Sequence, residues 1–364
     1  MAIIMWQKAI SVNKMIMRTA TPVIIPNSQQ YYNIKYSAIQ CVFCWVLSKF
    51  LSTISEENKK VDTVNKKGFI LNMKKPLVFQ GTATAIITPF RNGEIDFVSF
   101  GKLLDRQTDN GIDAIVVCGT TGEAATLTPC ERLRLIEFAV RRAGAKVPII
   151  AGTGSNSTKC AVELTKEAVD SGCDAVLVVT PYYNKATQNG LVKHYEKIAD
   201  TSEVPLIIYN VPTRTGVNVE PETYAELAKH PNINAVKESG TNLVKILEML
   251  RLCGDSLTLY SGNDNQIMPL LALGSMGVVS VLSNLLPDKV KKITSSYFKG
   301  DAKTALAEQL RLLPLMEGIF KEVNPIPIKY LLSEHGLCKN EMRLPLTEIE
   351  PSTAGMLDKL MQQI

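Results

Sequence analysis

Short apolar runs alternate with longer amphipathic stretches from residue 81 onward, and this alternation is the main feature of the chain. The runs are almost continuously apolar, which is typical of strands that are buried on both faces. Eight runs are therefore predicted to be strands, over residues 82–88, 112–118, 147–151, 175–180, 205–209, 233–237, 257–260 and 277–281. Strand-to-strand spacings of roughly 20–35 residues leave room for a crossover helix in each interval.

Helix starts are visible between these runs. Thr128-Pro129-x-Glu131 combines a capping threonine, a first-turn proline and an acidic residue ahead of an apolar periodic stretch. Eight successive strand–helix units predict a (β/α)8 TIM barrel, a fold of roughly 250 residues. An open, doubly wound sheet is the alternative, but eight equivalent units favour a closed barrel.

The pattern changes after residue 300, where no further strand is predicted. Residues 301–321 and 352–363 are predicted helices, with connectors that contain Asn324-Pro325-Ile326-Pro327 and Leu344-Pro345. We therefore predict three parts: an N-terminal extension over 1–75, a barrel over 76–300 and a C-terminal helical domain over 301–364.

The N-terminal extension lacks the strand–helix rhythm and carries the charge excess. Residues 1–55 contain five lysines and arginines and no acidic residue, which accounts for the whole net charge of +5. Its apolar stretch, 37–47, is too short to span a bilayer, which needs roughly 20 residues. We expect an extension that is disordered, cleaved or untranslated, with initiation at Met73 preferred over an organelle transit peptide. The expected location is the cytoplasm.

Composition excludes several classes of function. The balanced charge after residue 55 argues against a nucleic-acid surface, and no segment predicts a membrane span. The pair Cys41-x-x-Cys44 has no second ligand pair, and the three histidines stand far apart, so no metal site is predicted. The turn 152–156 lacks the third glycine of a dinucleotide fingerprint. The sequence therefore indicates neither a metal site nor a nucleotide cofactor.

Polar residues at the predicted strand ends are the candidates for chemistry, because barrel enzymes carry their active sites at that end. Lys237 ends the sixth strand. Burial disfavours its charged form, and a free amine attacks a ketone to form a Schiff base. Tyr209 and Arg214 follow the fifth strand and offer a proton donor and a carboxylate-binding fork. A lysine paired with Glu238 is the alternative for Lys237 alone, but the neighbouring groups favour catalysis.

Two further strand ends carry suggestive turns. Gly119-Thr120-Thr121-Gly122-Glu123 can direct backbone N–H groups at an anion such as a carboxylate, although an ordinary glycine-rich turn is the alternative. Tyr182-Tyr183 follows the fourth strand, and paired tyrosines there are usually packing residues. Gly262 follows the seventh strand and allows close approach of a ligand to the backbone.

Four motifs occur together and in a fixed order: G-T-T-G-E at 119–123, P-Y-Y-N-K at 181–185, Y-N-V-P-x-R-T-G at 209–216 and V-K-E at 236–238. In this combination residues 76–364 resemble the dihydrodipicolinate synthases, a family of pyruvate-dependent class I aldolases. The resemblance implies condensation of pyruvate with L-aspartate 4-semialdehyde to give 4-hydroxy-tetrahydrodipicolinate, in lysine and diaminopimelate biosynthesis. It also implies a homotetramer without metal or organic cofactor.

The resemblance also implies a role for each matching residue. Lys237 forms the imine with pyruvate, and Tyr209 is the acid/base, whose proton passes through Thr121 to Tyr183. The residue at the position of Tyr183 reaches into the neighbouring subunit's site. The backbone of Thr120 and Thr121 holds the pyruvate carboxylate.

Three more residues are implied to bind substrate. Arg214 holds the carboxylate of the semialdehyde, and Gly262 and Val279 line the pocket through backbone groups. Sister aldolases, namely N-acetylneuraminate lyases and 2-keto-3-deoxy sugar-acid aldolases, are the first alternative, and Arg214 favours the semialdehyde synthase. A non-catalytic keto-acid-binding barrel is the second alternative, and the presence of both Lys237 and Tyr209 argues against it.

One departure from the family concerns feedback by lysine. Asn156 and Tyr182 match the feedback site of lysine-inhibited relatives. Pro129, Arg132 and Cys160 stand where those relatives have histidines and a glutamate. Because an arginine repels a cationic amine, the sequence predicts weak or absent inhibition by lysine.

Overall fold

The computed structural model describes residues 75–364. Most of the predicted N-terminal extension, including Cys41, Cys44 and Met73, lies outside the described residues. The predicted divisions of the chain at 75/76 and 300/301 stay predictions.

Eight parallel strands form a closed barrel in chain order, and the first strand pairs with the last. The barrel strands are β1 Gly81–Ala85, β4 Ala114–Val117, β5 Ile149–Gly152, β6 Ala175–Val179, β7 Leu206–Asn210, β8 Ile233–Glu238, β9 Thr258–Ser261 and β10 Gly277–Ser280. Two further short strands in the described part of the chain, β2 Phe90–Arg91 and β3 Glu94–Ile95, form a small antiparallel pair. All eight predicted strands are present, and the predicted barrel is confirmed over the open sheet.

Helices follow the barrel strands and cover their outer side. They are α1 Phe97–Asp109, α2 Pro129–Ala143, α3 Thr158–Asp170, α4 Gln188–Ala199, α5 Pro212–Thr215, α6 Pro221–Leu227, α7 Leu243–Cys253, α8 Ile267–Ala272 and α9 Pro287–Phe298. The predicted start of α2 is confirmed: the Thr128 side chain accepts from the backbone N–H of Glu131, and the Glu131 side chain accepts from that of Thr128.

Two apolar cores follow from the alternation of side chains along each strand. The larger one lies between strands and helices and contains residues such as Ile115, Ile208 and Val236. The smaller one includes Val116 and Tyr209, their neighbours along the same strands. Such alternation fills the barrel interior with side chains, so the chemistry takes place at the strand ends and not in a channel.

Three helices follow the barrel: α10 Ala302–Gly318, α11 Ile326–Glu334 and α12 Pro351–Met361. The structure places α10 and α12 where helices were predicted. The helix α11 was not predicted, because its first residues belong to a proline-rich connector. Pro327 stands in its first turn, where a helix needs no backbone N–H donor, so the proline is compatible with a helix start.

Among residues 75–364, no helix has both the length and the apolar character needed to cross a membrane. The cytoplasmic location stays a prediction.

Candidate active site

Lys237 and Tyr209 face each other across neighbouring strands. They are register partners near the C-terminal ends of β8 and β7, and the Lys237 Nζ lies 4.1 Å from the centroid of the Tyr209 ring. Lys237 is 5% exposed and Tyr209 is 6% exposed. The structure therefore brings the predicted nucleophile and the predicted acid/base into direct contact at the end of the barrel.

The environment of Tyr209 makes its phenol more acidic than usual. Burial is the largest single influence and raises the pKa of Tyr209, but the positive charges of Lys237 and Arg214 and the nearby Thr120 and Ser239 side chains outweigh it. The net pKa of Tyr209 is lowered. A lowered pKa brings the phenol closer to neutral pH, where one residue can serve both as acid and as base.

The G-T-T-G-E turn follows β4 and closes on itself through backbone hydrogen bonds. The N–H of Gly122 donates to the carbonyl of Gly119 over 3.1 Å, and the N–H of Glu123 donates to that of Thr120 over 3.0 Å. Within residues 75–364 the backbone N–H groups of Thr120 and Thr121 have no hydrogen-bond partner. They are therefore available to a ligand carboxylate, and the carboxylate-binding role implied by the resemblance stays a prediction.

The two threonine side chains of this turn have different neighbours. Thr120 interacts with the Tyr209 phenol. The Thr121 hydroxyl instead accepts a hydrogen bond from the Asn324 amide over 2.9 Å in a buried contact. Consecutive residues of a tight turn direct their side chains to different sides, so only one of them reaches Tyr209. The structure therefore favours Thr120 over the predicted Thr121 as the residue next to the acid/base.

An open cavity of ≈ 470 Å³ joins these groups at the mouth of the barrel. Its lining includes Lys237, Tyr209, Thr120, Thr121 and Arg214. Arg214 stands in the short helix α5 directly after β7, and it is exposed. Its position beside the cavity suits the predicted role of holding a carboxylate there.

Gly262 also lines this cavity, and no other residue fits its position. A Cβ atom there would lie 2.0 Å from the Ser239 Oγ and 3.0 Å from the Glu238 carbonyl oxygen. Val279 is fully buried in the barrel interior with Tyr209. The cavity lining contains Val281 rather than Val279. Of the two predicted backbone contacts, the structure thus brings Gly262 to the cavity.

Tyr183 is not part of this cavity within a single chain. It lies in the loop after β6, is 90% exposed, and has a left-handed backbone with φ 72°. A side chain that is this exposed makes little packing contact with its own chain. The predicted contact with a neighbouring subunit stays a prediction.

No sequence motif indicates Asn324 as a site residue. Asn324 is 5% exposed, lines the same cavity and contacts both Thr121 and Arg214. Its place in a proline-rich connector, nearly 90 residues after Lys237, made it look like a turn residue. Ser239, beside the Tyr209 phenol, was missed in the same way, and only its place directly after Lys237-Glu238 could have indicated it.

The residues at the predicted feedback site are partly engaged with the chain itself. The Arg132 guanidinium donates to the Ala124 carbonyl over 2.5 Å, and Pro129 begins α2. The Asn156 carbonyl accepts from the Asn184 side chain over 3.0 Å. Arg132 and Tyr182 line a second cavity of ≈ 320 Å³ next to the first. The arginine is therefore a fixed positive charge in the wall of that cavity.

Among the described residues, no group of three or more His, Cys, Asp or Glu side chains is placed to hold a metal ion. Four of the six cysteines in this part of the chain are buried, and burial raises the thiol pKa of Cys118 and of Cys173 to about 12. Thiols of this kind are packing residues rather than nucleophiles.

Known proteins are similar to this chain over nearly all of its described part. Residues 78–364 match the model of the dihydrodipicolinate synthetase family. The 4-hydroxy-tetrahydrodipicolinate synthase of Alkaliphilus oremlandii is 45% identical over 287 residues, which cover 79% of this chain and 99% of that protein.

Solved structures show the same similarity. The dihydrodipicolinate synthase of Aquifex aeolicus is 44% identical with a TM-score of 0.77, over 78% of this chain and 98% of that one. The enzyme of Cyanidioschyzon merolae, solved with lysine bound, is 39% identical with a TM-score of 0.77, over 79% and 99% of the two chains.

Proposed function

The chain belongs to the dihydrodipicolinate synthetase family, and from this premise we propose how its residues join pyruvate to L-aspartate 4-semialdehyde. The protein is a lyase of the class I aldolase type that forms 4-hydroxy-tetrahydrodipicolinate in lysine and diaminopimelate biosynthesis. The sister aldolases are not favoured. The observation that carries the mechanism is the contact between the Lys237 amine and the Tyr209 ring at the mouth of the barrel.

Imine formation is the first step. The free N–H groups of Thr120 and Thr121 bind the pyruvate carboxylate and direct its ketone toward Lys237. The amine attacks the ketone carbon, and the ketone oxygen leaves as water after it has received one proton from the attacking amine and one from the adjacent Tyr209 phenol. The resulting iminium withdraws electrons from the methyl group, which loses a proton to the Tyr209 phenolate to give an enamine.

Carbon–carbon bond formation follows. The enamine carbon attacks the aldehyde, whose oxygen takes up the proton of the Tyr209 phenol, while Arg214 holds the carboxylate of the semialdehyde. The amino group of the semialdehyde then attacks the iminium carbon and displaces Lys237, which closes the ring. Because Thr120 lies next to the Tyr209 phenol, we assign the proton relay to Tyr209 and Thr120, with Tyr183 of a neighbouring subunit at its outer end.

Borohydride trapping tests the central step. The protein is incubated with pyruvate, reduced with borohydride and analysed as intact mass and as peptides. We expect a pyruvate-sized adduct on Lys237, its absence in Lys237→Ala, and its retention in Lys245→Ala, which removes an exposed lysine paired with Glu220. If the folded wild-type protein forms no adduct, the proposed mechanism is excluded.

We also propose a homotetramer in which Tyr183 completes a neighbour's site, because 90% of this side chain is exposed in the single chain. Two inactive variants test this arrangement. In a mixture of Tyr183→Phe with Lys237→Ala, refolded together, some sites combine an intact lysine with an intact neighbouring tyrosine. We expect activity to return in the mixture, with the tetramer measured by sedimentation. Activity no greater than that of the separate variants would contradict the shared site.

A further inference from the structure

Asn324 connects the C-terminal helices to the cavity that holds Lys237. It lies just before α11 and is nearly fully buried. Its side-chain amide donates to the Thr121 hydroxyl over 2.9 Å, and its backbone carbonyl accepts from the Arg214 guanidinium over 3.4 Å. One residue therefore contacts both groups to which the proposed mechanism assigns a carboxylate.

The two contacts use different parts of Asn324. The contact with Thr121 depends on the side chain, whereas the contact with Arg214 uses the backbone and is available to any residue at this position. The hydroxyl of Thr121 has one donor and two acceptor sites, so an amide donor on one lone pair restricts its rotation. A fixed Thr121 side chain in turn restricts the peptide that carries the unpaired N–H groups of the turn.

Stability of the fold does not explain this amide. The Asn324 Oδ1 is buried and has no hydrogen-bond partner among the described residues. A buried acceptor left unpaired costs free energy, so an apolar side chain of similar size would serve the fold better. The amide nitrogen does have a partner, the Thr121 hydroxyl, which lies at the active site.

We propose that Asn324 is a positioning residue for the pyruvate-carboxylate turn: it holds the Thr121 side chain and so aligns the N–H groups of Thr120 and Thr121. This inference rests on the proposed function, because it assumes that the turn binds pyruvate. It assigns the C-terminal helical region a direct part in substrate binding.

The helix that carries Asn324 is held in place by a separate contact. The Lys329 ammonium, on α11, donates to the Glu123 carboxylate at 2.5 Å, and neither side chain is exposed to solvent. Glu123 is the last residue of the same turn. Removal of the Asn324 side chain therefore leaves α11 anchored, so a substitution there tests alignment of the turn rather than placement of the helix.

Steady-state kinetics with both substrates test the proposal. Asn324→Ala is expected to raise the KM for pyruvate about tenfold, the loss of one well-placed hydrogen bond. The KM for the semialdehyde is expected to change less than about twofold, because the carbonyl that contacts Arg214 remains. Thr121→Val, which removes the acceptor, should reproduce this pattern, and the double variant should be no worse than the more severe single variant.

Asn324→Asp provides a second variant of nearly the same size, which covers the case in which Asn324→Ala does not fold. Its negative charge beside the turn should also raise the pyruvate KM. Asn189→Ala, an exposed asparagine on α4, is the matched control and should leave both KM values unchanged. Equal rises in both KM values for Asn324→Ala, or additive losses in the double variant, would overturn the proposal.

Borohydride trapping separates this inference from the proposed function. If wild type forms no pyruvate adduct, the proposed function fails first. If both proteins form the adduct and reach half-saturation at the same pyruvate concentration, only the positioning role of Asn324 fails. The expected result is an adduct in both proteins, with about tenfold more pyruvate needed for half-saturation in Asn324→Ala.

Discussion

The side-chain amide of Asn210 lies 3.0 Å from both carboxylate oxygens of Glu238. Each of these residues follows directly on a site residue, Tyr209 in β7 and Lys237 in β8. Because successive side chains of a strand point to opposite faces, the hydrogen bond on one face fixes the alignment of the reactive pair on the other. The carboxylate also accepts from the Tyr224 hydroxyl over 2.9 Å.

Glu238→Ala should lower both stability and the rate of imine formation. It leaves the buried Tyr224 hydroxyl without its acceptor and Asn210 with Asn218 as its remaining acceptor, which is expected to reduce the free energy of unfolding by about 1–3 kcal/mol. Denaturant unfolding and the rate of borohydride-trapped adduct formation measure the two effects. Glu222→Ala, an exposed glutamate on α6, is the control. If Glu238→Ala is destabilised but forms the adduct at the wild-type rate, the Glu238 carboxylate does not align Lys237.

Tyr209→Phe removes the acid/base while the ring remains beside the amine. We expect kcat to fall by about 10²- to 10⁴-fold, the usual contribution of a positioned proton-transfer group. The Lys237 adduct should still form after long incubation with pyruvate, because the nucleophile is intact. Tyr330→Phe, whose hydroxyl donates to Asp358 on α12, is the matched control. A kcat near the wild-type value would exclude Tyr209 as the acid/base.

Arg214→Ala should act on one substrate far more than on the other. Loss of a charged hydrogen bond of about 1.5–3 kcal/mol predicts a rise of roughly 10- to 150-fold in the KM for the semialdehyde. Half-saturation of imine formation by pyruvate should change little. Arg251→Ala, which removes an exposed arginine paired with Glu248, controls for loss of a surface charge. Equal losses for both substrates would contradict the assigned role.

Lysine should inhibit this enzyme weakly or not at all. Arg132 stands in the wall of the second cavity, and no carboxylate replaces the one that relatives have where this chain has Cys160. A cationic amine would therefore meet a like charge, and the Glu123 carboxylate in the same wall is already paired with Lys329. Initial rates across a lysine titration measure the effect. The paired change Arg132→His with Cys160→Glu should increase inhibition. Half-maximal inhibition of wild type at low lysine concentration would overturn the prediction.

The pair formed by Arg343 and Glu131 predicts a pH-dependent part of stability. Hydrogen bonds from Arg343, the largest cause, lower the pKa of Glu131 to about 2. A carboxyl with a lowered pKa in the folded state stabilises above its unfolded pKa, and that contribution is lost as the pH falls from about 4.5 to about 2.

Glu131→Gln should therefore reduce the free energy of unfolding at pH 7 by about 1–2 kcal/mol, a value that allows for partial exposure of the pair. Urea unfolding at several pH values measures the difference between wild type and variant, which should shrink below pH ~4.5. Glu137→Gln, on the same helix and paired with the exposed Arg141, is the control. A difference that does not change with pH would show that the charge of Glu131 is not responsible.

The barrel could be predicted because its signals are local. Each strand is a short apolar run, and the cap at Thr128 is contained in four residues. Residues at strand ends meet by virtue of the fold, so Lys237, Tyr209 and Arg214 could be inferred to share one mouth. Their grouping around one cavity agrees with that prediction.

Other parts of the site depend on contacts that no local pattern encodes. Asn324 reaches Thr121 across a separation of 203 residues, and only the packed structure brings the two together. Which of two adjacent threonines faces Tyr209 depends on the path of a turn, not on its composition. The role proposed for Tyr183 requires a second subunit, so neither the sequence pattern nor a single chain can place it.

The buried ion pair between Glu123 and Lys329 also sets the order in which a newly made chain can become active. The barrel strands are complete by residue 280, whereas Lys329 comes almost 50 residues later. A nascent chain that has released only its barrel segments from the ribosome holds Glu123 without its counter-charge and Thr121 without Asn324. Full affinity for pyruvate is therefore expected late in synthesis, after the C-terminal helices have emerged and docked.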